Sequence, residues 1–295
     1  MSPKNVYVIN YIYFALMIRT GIFYSKNSGE EASILVRSFK NVSVVYPVKG
    51  REIDNISVSG MKKEIDSLDA AYFPANQWNS EEVKMILREE VHLYFETIPL
   101  LDIEEAKKNY ELETEAGCIV QFFHPYLFIP CNLLRYKKLQ SPFFIEGRFK
   151  FDIKDNLEQQ IFYFLLFVIS MDNSLFSRLE VYSVENDKTF SVLDINLYFS
   201  SGSLVRLNLS PFITVSSDIF VYQKNNSRLS FSLYDNTDGK DKNSARSAFE
   251  CFVKAIDGKQ SLTISFVQLY QATRILEDLK EKLKFRGSVL LKSKF

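Results

Sequence analysis

Glycine is scarce in this chain of 295 residues: there are ten, and no two lie within five residues of each other. Backbone can therefore approach a phosphate, or turn with positive φ, at few places. Neither G-x-G-x-x-G nor the P-loop pattern occurs, which speaks against a Rossmann dehydrogenase, a Walker-type ATPase and a protein kinase. Histidine and cysteine are equally thin. His92 and His124 stand 32 positions apart, and Cys118, Cys131 and Cys251 form no C-x-x-C. The spacing of a zinc site is missing, so no metal and no cofactor are expected. No G-x-S-x-G supplies a serine nucleophile, and no catalytic residue is assigned. An odd number of cysteines suits a reducing compartment, and a cytoplasmic location is the expectation.

Long apolar runs are also absent. Val6 to Ile18 is thirteen mostly apolar residues, short of the ~20 that span a bilayer, and no small-x-small cleavage site follows. It reads as a buried strand or core helix, with no membrane association. Excess charge of either sign is lacking too, since Lys+Arg 36 balance Asp+Glu 36. That balance excludes a uniformly basic nucleic-acid coat and an acidic disordered chain. What the chain has instead is aromatic surface, with Phe 26 and Tyr 16, in a composition that is 46% hydrophobic and 24% charged. Such a chain can bury a core in one large or two moderate domains.

The hydrophobic pattern predicts an α+β protein: a mixed α/β amino-terminal region over 1–175, then an antiparallel β-sheet over 176–295 with packed amphipathic helices. SILVRSF and NVSVVY, between Ser33 and Tyr46, read as one bent strand or a hairpin. Met61, Ile65, Leu68 and Ala71 share a helical face. Asn79 with Glu82, and Asp102 with Glu105, are capping pairs that open helices, the first reaching past His92. RLEVYSV, FSVLDINLYF, SLVRLNL, ITVSSDIFVY and RLSFSLY read as strands, the last two joined by a turn at QKNNS. Helices follow near 244–257 and 265–285, the second opened by Ser265 with Gln268 and striped by Leu269, Ala272, Ile275, Leu276, Leu279 and Leu283.

Two patterns carry candidate chemistry. Asp152-x-Lys154 before a helix with Gln159 and Tyr163 resembles the PD-(D/E)XK nucleases, in which carboxylates hold a divalent ion and a lysine stabilises the attacking water. The upstream aspartate is missing, Glu115 and Glu146 being the nearest stand-ins. His124, between Phe123 and Pro125, reads as a satisfied core or edge histidine rather than a base. The second pattern is charge. Residues 1–50 carry +4, 51–115 carry −9, 116–150 carry +4, 151–200 carry −5 and 201–295 carry +6. The basic carboxy-terminal part offers Arg206, Tyr222, Lys224 and Arg228 on strands and Lys280, Lys282, Lys284 and Arg286 on the last helix. Basic groups interleaved with an aromatic suit single-stranded nucleic acid, where bases stack on rings and cations track phosphates. The same patch suits docking to a protein. The expectation is a non-catalytic protein acting through its surface as a subunit of a larger assembly, with a protein partner or a second copy of itself. A single-stranded nucleic-acid binder is the alternative, and a divalent-metal nuclease the second alternative.

Overall fold

The computed structural model describes residues 17–24, 29–49, 65, 67–74, 79–150, 157–172, 174–186, 189–210, 218–232, 242–259 and 263–285. The chain divides into unit 1 (1–98, 111–122 and 252–261) and unit 2 (99–110, 123–251 and 262–295). The sequence-based break near residue 175 falls inside unit 2. The helices are α1 Gly29–Arg37, α2 Ser80–Arg88, α3 Ile103–Ala116, α4 Pro130–Tyr136, α5 Leu157–Met171, α6 Lys242–Ile256 and α7 Phe266–Phe285.

Unit 1 is built on five parallel strands: β1 Ile18–Tyr24, β2 Val42–Lys49, β3 Ala70–Phe73, β4 His92–Phe95 and β5 Val120–Phe122, in the order β2-β1-β3-β4-β5. β3, β4 and β5 are short, and every residue of AAYF and VQF is buried. That is the signature of a parallel sheet covered on both faces, where no polar alternation marks the strand. The SILVRSF run proves to be largely helix α1. Ala32 and Val36, one turn apart, are buried while Ile34 between them is 71% exposed, so the helical period overrides the β propensity of the β-branched residues. Asn79 caps α2, its side chain accepting from the Glu81 N–H at 2.8 Å. His92 opens β4 instead of lying on that helix, and Ala71 lies in β3.

Unit 2 holds six strands: β6 Phe143–Phe149, β7 Phe176–Asn186, β8 Thr189–Phe199, β9 Leu204–Leu209, β10 Asp218–Gln223 and β11 Arg228–Ser232, in the order β11-β10-β6-β9-β8-β7. The expected antiparallel sheet is corrected here. β6 runs parallel to β9 over Phe144 to Phe149, because it enters the sheet between two strands that follow it by more than fifty residues. Reading sequential strands as hairpin neighbours misses such a crossover. The α+β class is corrected with it, since unit 1 is a parallel, doubly wound α/β arrangement rather than an irregular mixed region.

Alternation sends Ile145, Leu179, Val181, Ile195, Leu207, Val221 and Phe231 to one face of this sheet, where all are buried. α5 packs there, Phe167 meeting Phe231 edge-on at 5.5 Å. Gly147 makes the approach possible, for a Cβ at that position would stand 2.9 Å from the Phe164 ring. α7 begins with the expected capping box, the Ser265 N–H donating to Gln268 Oε1 at 2.9 Å, and its whole predicted stripe is buried. Among the described residues no helix is long and apolar enough to cross a membrane.

Candidate functional site

From β1 the chain goes first to β2 on one side and then to β3 on the other. Ligands of open α/β sheets bind outside the carboxyl ends of the strands at such a reversal. The carboxyl ends of β1, β3, β4 and β5 are floored by four phenylalanines, one from each of these strands: Phe23, Phe73, Phe95 and Phe122 stack in sequence with ring centroids 4.9, 5.0 and 4.6 Å apart. Among the described residues at that edge is Glu96, the residue after β4, half-buried and tied to β3 by its own N–H, which donates to the Phe73 carbonyl at 3.0 Å. The Tyr72 hydroxyl donates to the Glu96 carboxylate. Tyr72 is fully buried and stacks on Tyr94 at 4.9 Å. Burial first, then Tyr94 and Glu96, push its hydroxyl well above the ordinary tyrosine range, so it remains a donor at every physiological pH. The arrangement presents an oriented carboxylate able to take or return a proton at the carboxyl edge of a rigid sheet.

This topology implies a dinucleotide, whose pyrophosphate rests on the first βα turn and the helix that follows it. The residues do not fit that use. β1 ends at Tyr24 and α1 begins at Gly29, so the sequence between them is Ser25-Lys26-Asn27-Ser28, with no glycine, and Gly29 alone stands where the pattern needs three. In sequence the next two residues are Glu30 and Glu31, an acidic pair of the wrong sign for a pyrophosphate.

The structure separates the residues singled out from sequence. Arg206, Tyr222 and Arg228 stand on one face of the unit 2 sheet, opposite α5, and Lys224 is exposed in the β10–β11 turn. Lys280 does not join them. It bridges Glu158 of α5 at 2.7 Å and Glu277 at 2.8 Å. Burial alone would lower its ammonium, yet these carboxylates outweigh burial and raise it. Its task is to fasten α7 to α5. Lys282 and Lys284 are exposed near the end of α7, and Arg286 lies outside the described residues, as do Asp152 and Lys154. Gln159 and Tyr163 are one turn apart on α5 and hydrogen-bond each other at 2.9 Å. Among the described residues no group of three His, Cys, Asp or Glu side chains could hold a metal ion.

Both histidines serve the backbone. His92 Nδ1 accepts from the Ile119 N–H at 3.0 Å, and burial lowers its ring against a smaller opposing effect of Asp69. The buried His124 is held from both sides. Cys118 is 7% exposed, its thiol pushed up to about 11 by burial and then by Glu90 and Glu113, whereas Cys131 is exposed. A disulfide reagent at neutral pH should therefore modify Cys131 at least ~100-fold faster than Cys118. Peptide mapping after timed labelling reads the ratio, and equal rates would contradict the buried placement.

The parallel sheet with its strand reversal, joined in one chain to a six-stranded mixed sheet, defines a class by its fold: a Rossmann-like α/β sheet of the kind seen in solved dehydrogenases. Among solved structures the chain is similar to a dehydrogenase from Chromobacterium violaceum, at 12% identity and a TM-score of 0.66, covering 92% of this chain and 96% of that one. It is similar also to UDP-N-acetylglucosamine 3-dehydrogenase from Acidithiobacillus ferrooxidans, at 13% identity, a TM-score of 0.59 and coverage of 89% and 96%. A dehydrogenase from Clostridium difficile gives 11% identity, a TM-score of 0.59 and coverage of 90% and 99%. No family model matches the sequence, and no curated protein matches it. At these identities the likeness establishes the fold. It corrects the expectations of a non-catalytic assembly subunit, a single-stranded nucleic-acid binder and a divalent-metal nuclease, for the frame is that of dehydrogenases along nearly the whole chain. The glycine count excluded such a frame wrongly, because it tests the phosphate cradle and not the sheet.

Proposed function

We propose that this chain is an oxidoreductase acting on a small hydroxylated substrate, of the class represented by the sugar ring of UDP-N-acetylglucosamine. The observation that carries the reading is the end-to-end likeness to dehydrogenases, which takes in unit 1 and unit 2 together. Oxidation of a secondary alcohol to a ketone removes a hydroxyl proton and a hydride. Glu96 takes the proton, oriented by the Tyr72 hydroxyl, and a soluble two-electron acceptor takes the hydride. Three free cysteines accord with a cytoplasmic site of action.

The test is an oxidation assay of the purified chain against sugar nucleotides and cyclitols, with NAD, NADP and a redox dye each offered as acceptor. Wild type should turn over at least one pairing. Glu96→Gln should lower kcat by about 100-fold or more with little change in thermal stability. A folded wild-type protein that reduces none of the acceptors with any substrate would sink the proposal.

A further inference from the structure

Each glycine of the dinucleotide fingerprint has a separate task. The first allows a tight turn at the strand end, the second lets backbone reach the pyrophosphate, and the third lets the following helix close on the strand. β1 ends at Tyr24 and α1 opens five residues on at Gly29, which is the distance between the first and third glycines of G-x-G-x-x-G. Gly29 therefore takes the third place, Lys26 the second and Tyr24 the first. The glycine that serves packing is present, and the two that serve the ligand are replaced by residues with a Cβ. Glycine within β1 also serves packing, since a Cβ on Gly21 would stand 2.6 Å from the Leu68 side chain.

Charge and the second strand point the same way. A pyrophosphate is a dianion, and a helix amino terminus offers it only about half a positive charge. Glu30 and Glu31 follow Gly29 directly in sequence, and Lys26 offsets only one of them. The fingerprint also takes a carboxylate near the end of the second strand, where it accepts from the ribose hydroxyl of NAD. β2 reads VSVVYPVK, without an acidic residue, and its last residue, Lys49, is the register partner of Tyr24. An ammonium has no lone pair with which to accept that hydroxyl. Its charge suits the 2′-phosphate of NADP, which makes NADP the more stringent ligand to test.

We infer that unit 1 keeps the frame of a dinucleotide-binding sheet but, through Tyr24, Lys26 and the acidic pair, binds neither NAD nor NADP. That the hydride acceptor then carries no pyrophosphate rests on the oxidoreductase reading above, whereas the loss of binding does not. Isothermal titration calorimetry of the full chain with NAD, NADH, NADP and NADPH tests it. None should bind with a dissociation constant below about 1 mM. Adding about 2 mM of each should leave the Tm of a cooperative melt unchanged, because a ligand stabilises the fold only by occupying it. The variant Tyr24→Gly, Lys26→Gly, Glu30→Ala, Glu31→Ala restores the glycine pattern and removes the acids, and should bind at least one of the four at least ~10-fold more tightly than wild type. Wild-type binding tighter than about 1 mM to any of them, or a variant that melts cooperatively and binds no better than wild type, overturns the inference. Failure of the oxidation assay with every acceptor would sink the proposed activity and leave this inference standing, and tight binding of a dinucleotide would do the reverse.

Discussion

Replacing Phe95 by alanine should remove about 3–5 kcal/mol of folding free energy, a large share of the roughly 5–15 kcal/mol that holds a domain together. Phe95 is 0% exposed and lies between two rings, Phe73 at 5.0 Å with planes 14° apart and Phe122 at 4.6 Å with planes 12° apart. The registers Phe73↔Phe95 and Phe95↔Phe122 make these contacts direct cross-strand pairs. Truncation therefore loses buried area and opens a cavity, and it also breaks two ring contacts, each worth about 0.5–1.5 kcal/mol beyond its area. Phe95→Leu keeps most of the volume and should cost about 1–2 kcal/mol. Urea unfolding followed by far-ultraviolet circular dichroism gives both values. An alanine variant within about 1 kcal/mol of wild type would show that the stack is not what holds the strands. The stack also bears on the site, because Glu96 follows Phe95 directly and its position depends on that ring staying in place.

Local signals in the sequence translated well where side chain and backbone interact over three or four residues. The cap at Asn79, the Asp102 cap on the Glu105 N–H at 2.8 Å and the Ser265–Gln268 box all formed. So did the apolar stripe of α7, which depends only on helical period. The parallel sheet was hidden for a physical reason. Strands β3, β4 and β5 are three or four residues long and almost wholly buried, so they carry neither the length nor the alternation that identifies a strand. What was available is the spacing: AAYF, HLYF and VQF recur at intervals of 22 to 28 residues with amphipathic helical pattern between them, the rhythm of βα units. Glu96 was less legible still. It lies in no motif, and its partnership with Tyr72 joins residues 24 apart that only the β3–β4 pairing brings together. Arg206, Tyr222 and Arg228, chosen from sequence as a basic surface with an aromatic, do share a sheet face. Alternation along each strand put them there, while Lys280 was drawn away by two carboxylates.

His124 should make the fold sensitive to acid between about pH 6.5 and 4. Its Nε2 faces the Tyr163 carbonyl at 2.8 Å and its Nδ1 accepts from the Tyr126 and Leu127 N–H groups at 3.3 Å, so the ring must be neutral with its proton on Nε2. It is wholly buried against Tyr126, Tyr163 and Phe167. Burial pushes the imidazole down to about 4, the hydrogen bonds opposing that only in part. Above about pH 6.5 the ring is neutral in the folded and the unfolded chain alike, and its contribution to stability is fully present. Below that pH the unfolded chain binds a proton that the folded chain refuses, so stability falls until the folded ring also titrates near pH 4. The loss amounts to about 3 kcal/mol. His124→Asn should be less stable than wild type at pH 7, having lost the Tyr163 contact, yet it should lose about 3 kcal/mol less on acidification. Urea midpoints at pH 7, 6, 5 and 4 for both proteins separate this from the carboxylates, whose titration the two share. Parallel profiles would assign the acid sensitivity to those carboxylates, whereas converging profiles place it on one buried ring that ties the segment after β5 to α5.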